Sequence, residues 1–373
     1  MRKMRGTHRQ KASLVEAFFM EINMKKIWII KNTSDLFKCL NSNENDISKA
    51  LSQKDKYYTN VISIPKKNGY RSICVIDKSC AMYRLQKRLK TNFLDNIMVS
   101  DLAYGFKRNY DYFDFLKVHK NFYGINNYLR IDISNFFGTI NANMVRDTLD
   151  YYIDCDTEEE KERVLSILLE LILYNGELIQ GTPIAPVISN IIFRPMDIRI
   201  ERYCERQNVI YSRYADDLLF SSEKKNILKK NFLHTIERIL SSNGFSINYD
   251  KLRRSEKSIA LNGFIIDKDV RLSRKKLKPI NRVLFYLETK RYENATNWIK
   301  DYNTEISKYN AEKNLVIKDG NDLINILAGY RAFIINSIKH SNDKDFISRA
   351  NRMVKRIEKQ IIIITKECEK KSI

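Results

Sequence analysis

The chain is poor in histidine, proline and paired cysteine, and each shortage excludes something. Its four histidines lie far apart, at positions 8, 119, 234 and 340, and its six cysteines (Cys39, Cys74, Cys80, Cys155, Cys204 and Cys368) form no Cys-x-x-Cys pair. A zinc site is a poor fit, and reduced thiols in a cytoplasmic protein are the simpler expectation. No apolar run approaches the ~20 residues that a membrane span needs; "VEAFFMEI" and "IIIIT" stop far short. The basic start (Arg2, Lys3, Arg5, Arg9, Lys11) is not followed by the apolar stretch of a secretory signal. Of only five prolines, three (Pro183, Pro186, Pro195) fall within thirteen residues, marking one shaped loop and helix start rather than a flexible linker. Neither a repeat nor a low-complexity segment is visible.

What is abundant is positive charge. Sixty-six basic residues face 45 acidic ones, a net of +21 over 373 residues. Such an excess costs the fold self-repulsion, and a polyanionic partner is its simplest compensation. It is concentrated at the C-terminal end, where residues 251–373 carry 28 Lys and Arg against 15 Asp and Glu. Eighteen Phe and 21 Tyr supply enough burial to exclude disorder for most of the chain. The length predicts two or three domains, with subdomains around a cleft.

Residues 1–55 read as mostly helical, with polar punctuation at "NSNEND". "YTNVISIPKKNGYRSICVID" reads as a hairpin turning at Asn68-Gly69. A helical period over 80–97 aligns Met82, Leu85, Leu89 and Phe93. "YLRIDISNFFGTI" (128–140) is a strand entering a turn, and 158–174 is a helix with an acidic start. "VIYSRYADDLLFSS" (209–222) predicts two apolar strands around an acidic turn, followed by a helix at 224–242 and a strand pair within 245–272. From about 275 the chain reads as helical and basic. Asp132 sits on an apolar strand before Phe136 and Phe137, where a carboxylate is costly unless paired or ligating metal. Asp216-Asp217 is a repelling pair that a basic environment or a divalent cation relieves. Two such strands side by side would assemble a two-Mg²⁺ site for phosphoryl transfer.

These residues carry a family resemblance. "KKNGYRSI", "RIDISNFF", "QGTPIAPVISNIIF", "YADD", "GFSINYDK" and "LNGF" resemble, in order and interval, the blocks of reverse transcriptases over about residues 60–275. The chain is most similar to the retron-type bacterial enzymes, which are related to group II intron-like ones. It departs from them in three places: Ala185 stands for Ser in the QGxPxSP block, Phe115 and Leu116 stand for Asn-Ala ahead of His119, and Leu261-Asn262-Gly263 stands for Val-Thr-Gly. The last two elements are associated with recognition of the enzyme's own RNA.

The resemblance implies an α+β, right-hand polymerase architecture. It comprises an N-terminal helical extension (1–55), fingers with part of the palm (56–127), a palm on an antiparallel sheet packed by helices (128–272) and an all-helical basic thumb (273–373). It implies an RNA-directed DNA polymerase using two Mg²⁺ ions, held by Asp132, Asp216 and the Ile133 carbonyl, with Asp217 completing the cluster. Lys66 (or its neighbour Lys67) and Arg71 would clamp the triphosphate, Phe137 would exclude a 2′-hydroxyl, and Gln180 and Gly181 would line the nucleotide pocket. Tyr214, Asn248, Lys251, Leu261 and Gly263 would lie along primer and template. Arg352, Lys355, Arg356 and Lys359 on a basic helix are candidate nucleic-acid contacts. The implied partners are dNTPs, a structured non-coding RNA with its DNA product, and a separate effector protein of an antiphage system, with no membrane. Other readings of the same palm are a defence polymerase making untemplated or repetitive DNA, a group II intron-like enzyme, and an RNA-binding regulator with an inactive palm.

Overall fold

The computed structural model describes residues 29–59, 61–66, 69–120, 126–289, 299–300, 303 and 317–369. The basic start, Lys67 and Asn68 lie outside them. Contacts divide the chain into two units, of which one holds residues 29–59, 74–98 and 140–191 and the other falls within 61–73, 99–139 and 192–373.

In the first unit the polar punctuation caps helices. Asn32 and Asn43 accept the backbone N–H of Asp35 and Asp46 and so start α1 (Thr33–Cys39) and α2 (Glu44–Ser52). The 80–97 period is α3 (Ala81–Asn92), with Met82, Leu85 and Leu89 buried and Phe93 buried just after it. Thr157 caps α4 (Glu158–Ile172), whose first turn holds Glu158, Glu159 and Glu160 where the helix dipole favours negative charge. The proline-shaped loop then opens a helix, α5 (Ala185–Gln207), of which residues 185–191 belong to this unit and 192–207 to the second; it buries Ile188, Ile191 and Ile192 as its spacing requires.

The second unit contains the predicted hairpin, β1 (Val61–Lys66) with β2 (Gly69–Cys74). It also contains a four-stranded antiparallel sheet with strands in the order Ile210–Tyr214, Asp217–Ser222, Asn127–Asp132, Arg253–Glu256. Numbered along the chain, Asn127–Asp132 is β3, Ile210–Tyr214 β4, Asp217–Ser222 β5 and Arg253–Glu256 β6. The helix expected at 224–242 is split into a 3₁₀ turn at Lys225–Leu228 and α6 (Lys230–Ser241). The strand pair expected at 245–272 is instead β6 plus a separate three-stranded sheet, β7 (Ile259–Leu261), β8 (Phe264–Ile266) and β9 (Val270–Leu272). The first two of these meet at Asn262-Gly263, both at positive φ (44° and 94°), which makes a tight two-residue hairpin that the hydrophobic pattern alone does not reveal.

Beyond residue 273 the described elements are helical: α7 (Arg274–Thr289), α8 (Gly320–Lys339) and α9 (Lys344–Glu369). Their apolar faces (Val283, Leu327, Ile334, Ile357) share one core with the β7–β9 sheet and with Phe115, Tyr128 and Leu219. The described elements are helices and antiparallel sheets, an α+β fold as expected. Among the described residues no helix is long and apolar enough to cross a membrane.

Candidate active site

The register of the four-stranded sheet brings the acidic residues to one end. Asp132, last in β3, lies directly opposite Asp217, first in β5, and Asp217 in turn pairs with Tyr214 at the end of β4. Ala215 and Asp216 form the connecting turn, with Ala215 at φ +56°, a region that a residue with a Cβ enters only at some cost. The Ile133 N–H donates to the Asp216 carbonyl (2.9 Å) and the Asn248 N–H to the Asp132 carbonyl (2.8 Å), so the turn and the segment after α6 are both pinned to β3.

Each buried carboxylate faces a cation. The Lys251 ammonium donates to both oxygens of Asp132 at 2.8 Å, while Arg130 donates twice to one oxygen of Asp217, at 2.8 and 2.6 Å. Burial pushes the Asp217 carboxyl above the ordinary range, Arg130 opposes this, and Asp216 and Asp132 push it further up. Three carboxylates at one sheet end, two of them already drawing positive charge, are a donor set that suits hard divalent cations. Among the described residues, the acidic group whose ligand atoms lie within 4.8 Å of one another is a different one, Asp111, Asp114 and His340. Its carboxylates are engaged in the capping box of the helix Tyr112–Lys117 and in pairs with His340 and Lys117.

The two adjacent phenylalanines part company. Phe136 is buried against Phe193 and Phe245, whereas Phe137 is half-buried, with its ring 5.3 Å from Phe136 and 6.1 Å from Phe106. Tyr214 packs edge-on against Tyr112 at 5.0 Å. Leu261 is buried beside the turn glycine Gly263. Lys66 and Arg71 lie on β1 and β2; Gln180 and Gly181 (φ +108°) belong to the first unit, where the Gln180 carbonyl accepts the Cys74 N–H. On α9, Arg352, Lys355 and Lys359 are exposed, but Arg356 forks onto Glu288 of α7 at 2.8 and 2.6 Å and so braces two helices.

His119 is a core histidine. It is fully buried, its two ring nitrogens hydrogen-bond Ser221 and Ser212 at 2.7 Å each, and burial lowers its pKa to about 3. The folded protein therefore refuses a proton that the unfolded chain accepts below its ordinary 6.5. Stability from this group is complete above that pH and lost as pH falls from 6.5 towards 3, by up to about 1.4 kcal/mol per pH unit. Urea titrations of wild type and His119→Gln at pH 7 and pH 5 are expected to show a smaller acid penalty in the variant.

Sequence reasoning missed Arg130, the fully buried ion pair of Arg213 with Asp197 (2.7 Å), and Gly105, where an added Cβ would stand 2.7 Å from the Ala215 nitrogen. Arg130 had a signal, since it stands two residues before Asp132 and so on the same face of the strand. The others had none, because their partners come from distant segments.

Comparison with known proteins follows the same lines. Residues 64–266 match the family model described as reverse transcriptase (RNA-dependent DNA polymerase). The chain is 26% identical over 285 residues to Retron Ec86 reverse transcriptase of Escherichia coli, covering 73% of this chain and 83% of that protein. It is 27% identical over 188 residues to Retron Ec83 reverse transcriptase (49% and 59% covered) and 26% over 271 to Retron Ec48 reverse transcriptase (68% and 64%), both also of Escherichia coli. It thus spans less than two thirds of the latter two. Among solved structures, an apo telomerase from Candida tropicalis is similar at a TM-score of 0.46 and 12% identity, over 82% of this chain and 61% of that one.

Proposed function

The chain belongs to the reverse transcriptase family, is of the retron type and is an RNA-directed DNA polymerase; from this premise we propose that it copies a dedicated structured non-coding RNA into a branched, RNA-linked single-stranded DNA (msDNA). We further propose that it does so in the cytoplasm, within an antiphage system that includes a separate effector protein. The observation that supports the polymerase site best is the placement of Asp132 opposite Asp217 with Asp216 in the adjoining turn.

In this reading Asp132, Asp216 and the Ile133 carbonyl hold two Mg²⁺ ions and Asp217 completes the cluster. Bound there, the two ions would stabilise the attacking and leaving oxygens of nucleotidyl transfer. Arg130 keeps the Asp217 carboxylate in place, and Lys251 holds the Asp132 charge. Phe137 closes the space beneath the sugar, with Phe136 as its anchor. On the motif resemblance, Lys66 and Arg71 grip the triphosphate and Gln180 and Gly181 line the nucleotide. Tyr214, Asn248, Leu261 and Gly263 lie along the primer and template. The four-part division into extension, fingers, palm and thumb rests on the same resemblance.

The exposed Arg352, Lys355 and Lys359 offer a nucleic-acid backbone three cations on one helix. Truncation at about residue 275 is an unsuitable test of this, because α7–α9 share a core with β7–β9 and cutting there would open that core. Replacing the three by Gln is expected to weaken RNA binding and to flatten log K against log salt by about three contacts' worth of slope; an unchanged slope would remove them from the interface.

Phe137→Ala is expected to admit ribonucleotides. Primer extension with rNTPs against dNTPs measures it, and equal discrimination by wild type and variant would return Phe137 to a packing role. The product itself is tested by purifying the protein from its native cells and digesting the co-eluting nucleic acid separately with RNase and DNase. DNA that stays joined to an RNase-resistant nucleotide supports the branched product. Unlinked or repetitive DNA would favour the untemplated alternative.

A further inference from the structure

We propose that Arg213 is a positioning residue for the carboxylate turn: from inside the core it fixes the backbone at Ala215, and thereby the place where the Asp216 carboxylate stands. Arg213 and Asp197 are both fully buried, and they are sixteen residues apart, on β4 and α5. The guanidinium Nε and Nη2 donate to the two oxygens of Asp197 at 2.9 and 2.7 Å, and the Tyr211 hydroxyl donates to the same carboxylate at 2.8 Å. The remaining nitrogen, Nη1, donates to the carbonyl of Ala215 at 3.1 Å. The ring of Phe193 lies under the guanidinium, 4.5 Å away.

The division of the fork is the informative feature. A buried ion pair is commonly no better for stability than apolar residues of the same volume, so the pair alone gives no reason for an arginine here. Two of its nitrogens are held by Asp197, and the third is aimed at a turn residue in the unfavourable left-handed region. A lysine cannot make both contacts, because its single ammonium has no second, rigidly oriented nitrogen.

The turn is held from a second side as well. The Arg213 N–H donates to Leu102 and its carbonyl accepts from Tyr104, both at 2.8 Å, which lays the 102–105 segment along the end of β4. At Gly105 the approach is so close that an added Cβ would stand 2.7 Å from the Ala215 nitrogen. A glycine is required there because any side chain would push the turn away.

The inference rests on the assignment of Asp216 to the metal site, and its test separates the two. Mn²⁺ is titrated into the full-length protein and followed by electron paramagnetic resonance, with thermal melting as the control for folding. Asp216→Asn is expected to weaken Mn²⁺ binding. The double variant Arg213→Met/Asp197→Leu is expected to melt cooperatively yet bind Mn²⁺ about 10- to 100-fold more weakly, the usual range for losing a group that orients a metal ligand. Arg213→Lys, which keeps a charge for Asp197 but loses the nitrogen for Ala215, and Gly105→Ala, which displaces the turn with the ion pair intact, should move binding in the same direction. Wild-type affinity in the folded double variant and in Arg213→Lys, with the expected loss in Asp216→Asn, would overturn the proposal alone. Unchanged binding in Asp216→Asn would overturn the site assignment and the proposal with it.

Discussion

Asp216→Asn is expected to reduce Mg²⁺-dependent DNA synthesis by roughly a thousandfold or more while leaving RNA affinity within about twofold. Asparagine keeps the size of the side chain and one oxygen but removes the charge. Metal stabilisation of the developing charge is a matter of several kcal/mol, and each 1.36 kcal/mol is tenfold in rate. RNA binding depends on the basic surface and is not expected to follow. Asp132→Asn should be as severe in synthesis, since it also strips Lys251 of the carboxylate that takes up both its contacts. Asp217→Asn should cost less, because Asp217 already spends one oxygen on two hydrogen bonds from Arg130. Primer extension on an RNA template, with RNA binding measured in parallel on the same preparations, checks the order. Synthesis unchanged in either of the first two variants would dismantle the site.

The part of this site that the sequence announces is the part built from local pattern. Asp132 and Asp216 stand out because a charge interrupts an apolar strand or a tight turn, and in the turn after β3 Phe136 is buried while Phe137 is half-exposed. The caps at Asn32, Asn43 and Thr157 are equally local. The rest depends on partners that meet only after folding. Arg213 sits between Ser212 and Tyr214 and reads as an outward strand charge, while Asp197 stands in "MDIRIE" like any polar helix residue; nothing in either stretch says that both are buried. His119 shows the reverse case. A lone histidine ahead of a catalytic strand invites a functional reading, and the two serines that satisfy it come from β4 and β5, about a hundred residues later.

The largest stability effect is expected at that concealed pair. Asp197→Ala takes from the fully buried Arg213 guanidinium the carboxylate that two of its nitrogens hold, and also removes the acceptor of the Tyr211 hydroxyl. Breaking one partner of a buried pair typically costs about 3–5 kcal/mol, a large share of the ~5–15 kcal/mol that holds a domain together. Urea denaturation should therefore show a much lower midpoint for Asp197→Ala. Arg213→Met alone should cost a comparable amount, because it strands the carboxylate instead. The double variant Arg213→Met/Asp197→Leu should recover most of the loss, because neither charge is then left behind. If the two single losses simply added in the double variant, the guanidinium and carboxylate would not be acting on each other. Recovery of stability without recovery of metal affinity would mean that the pair is kept for what its third nitrogen does to the carboxylate turn, and not for the strength of the fold.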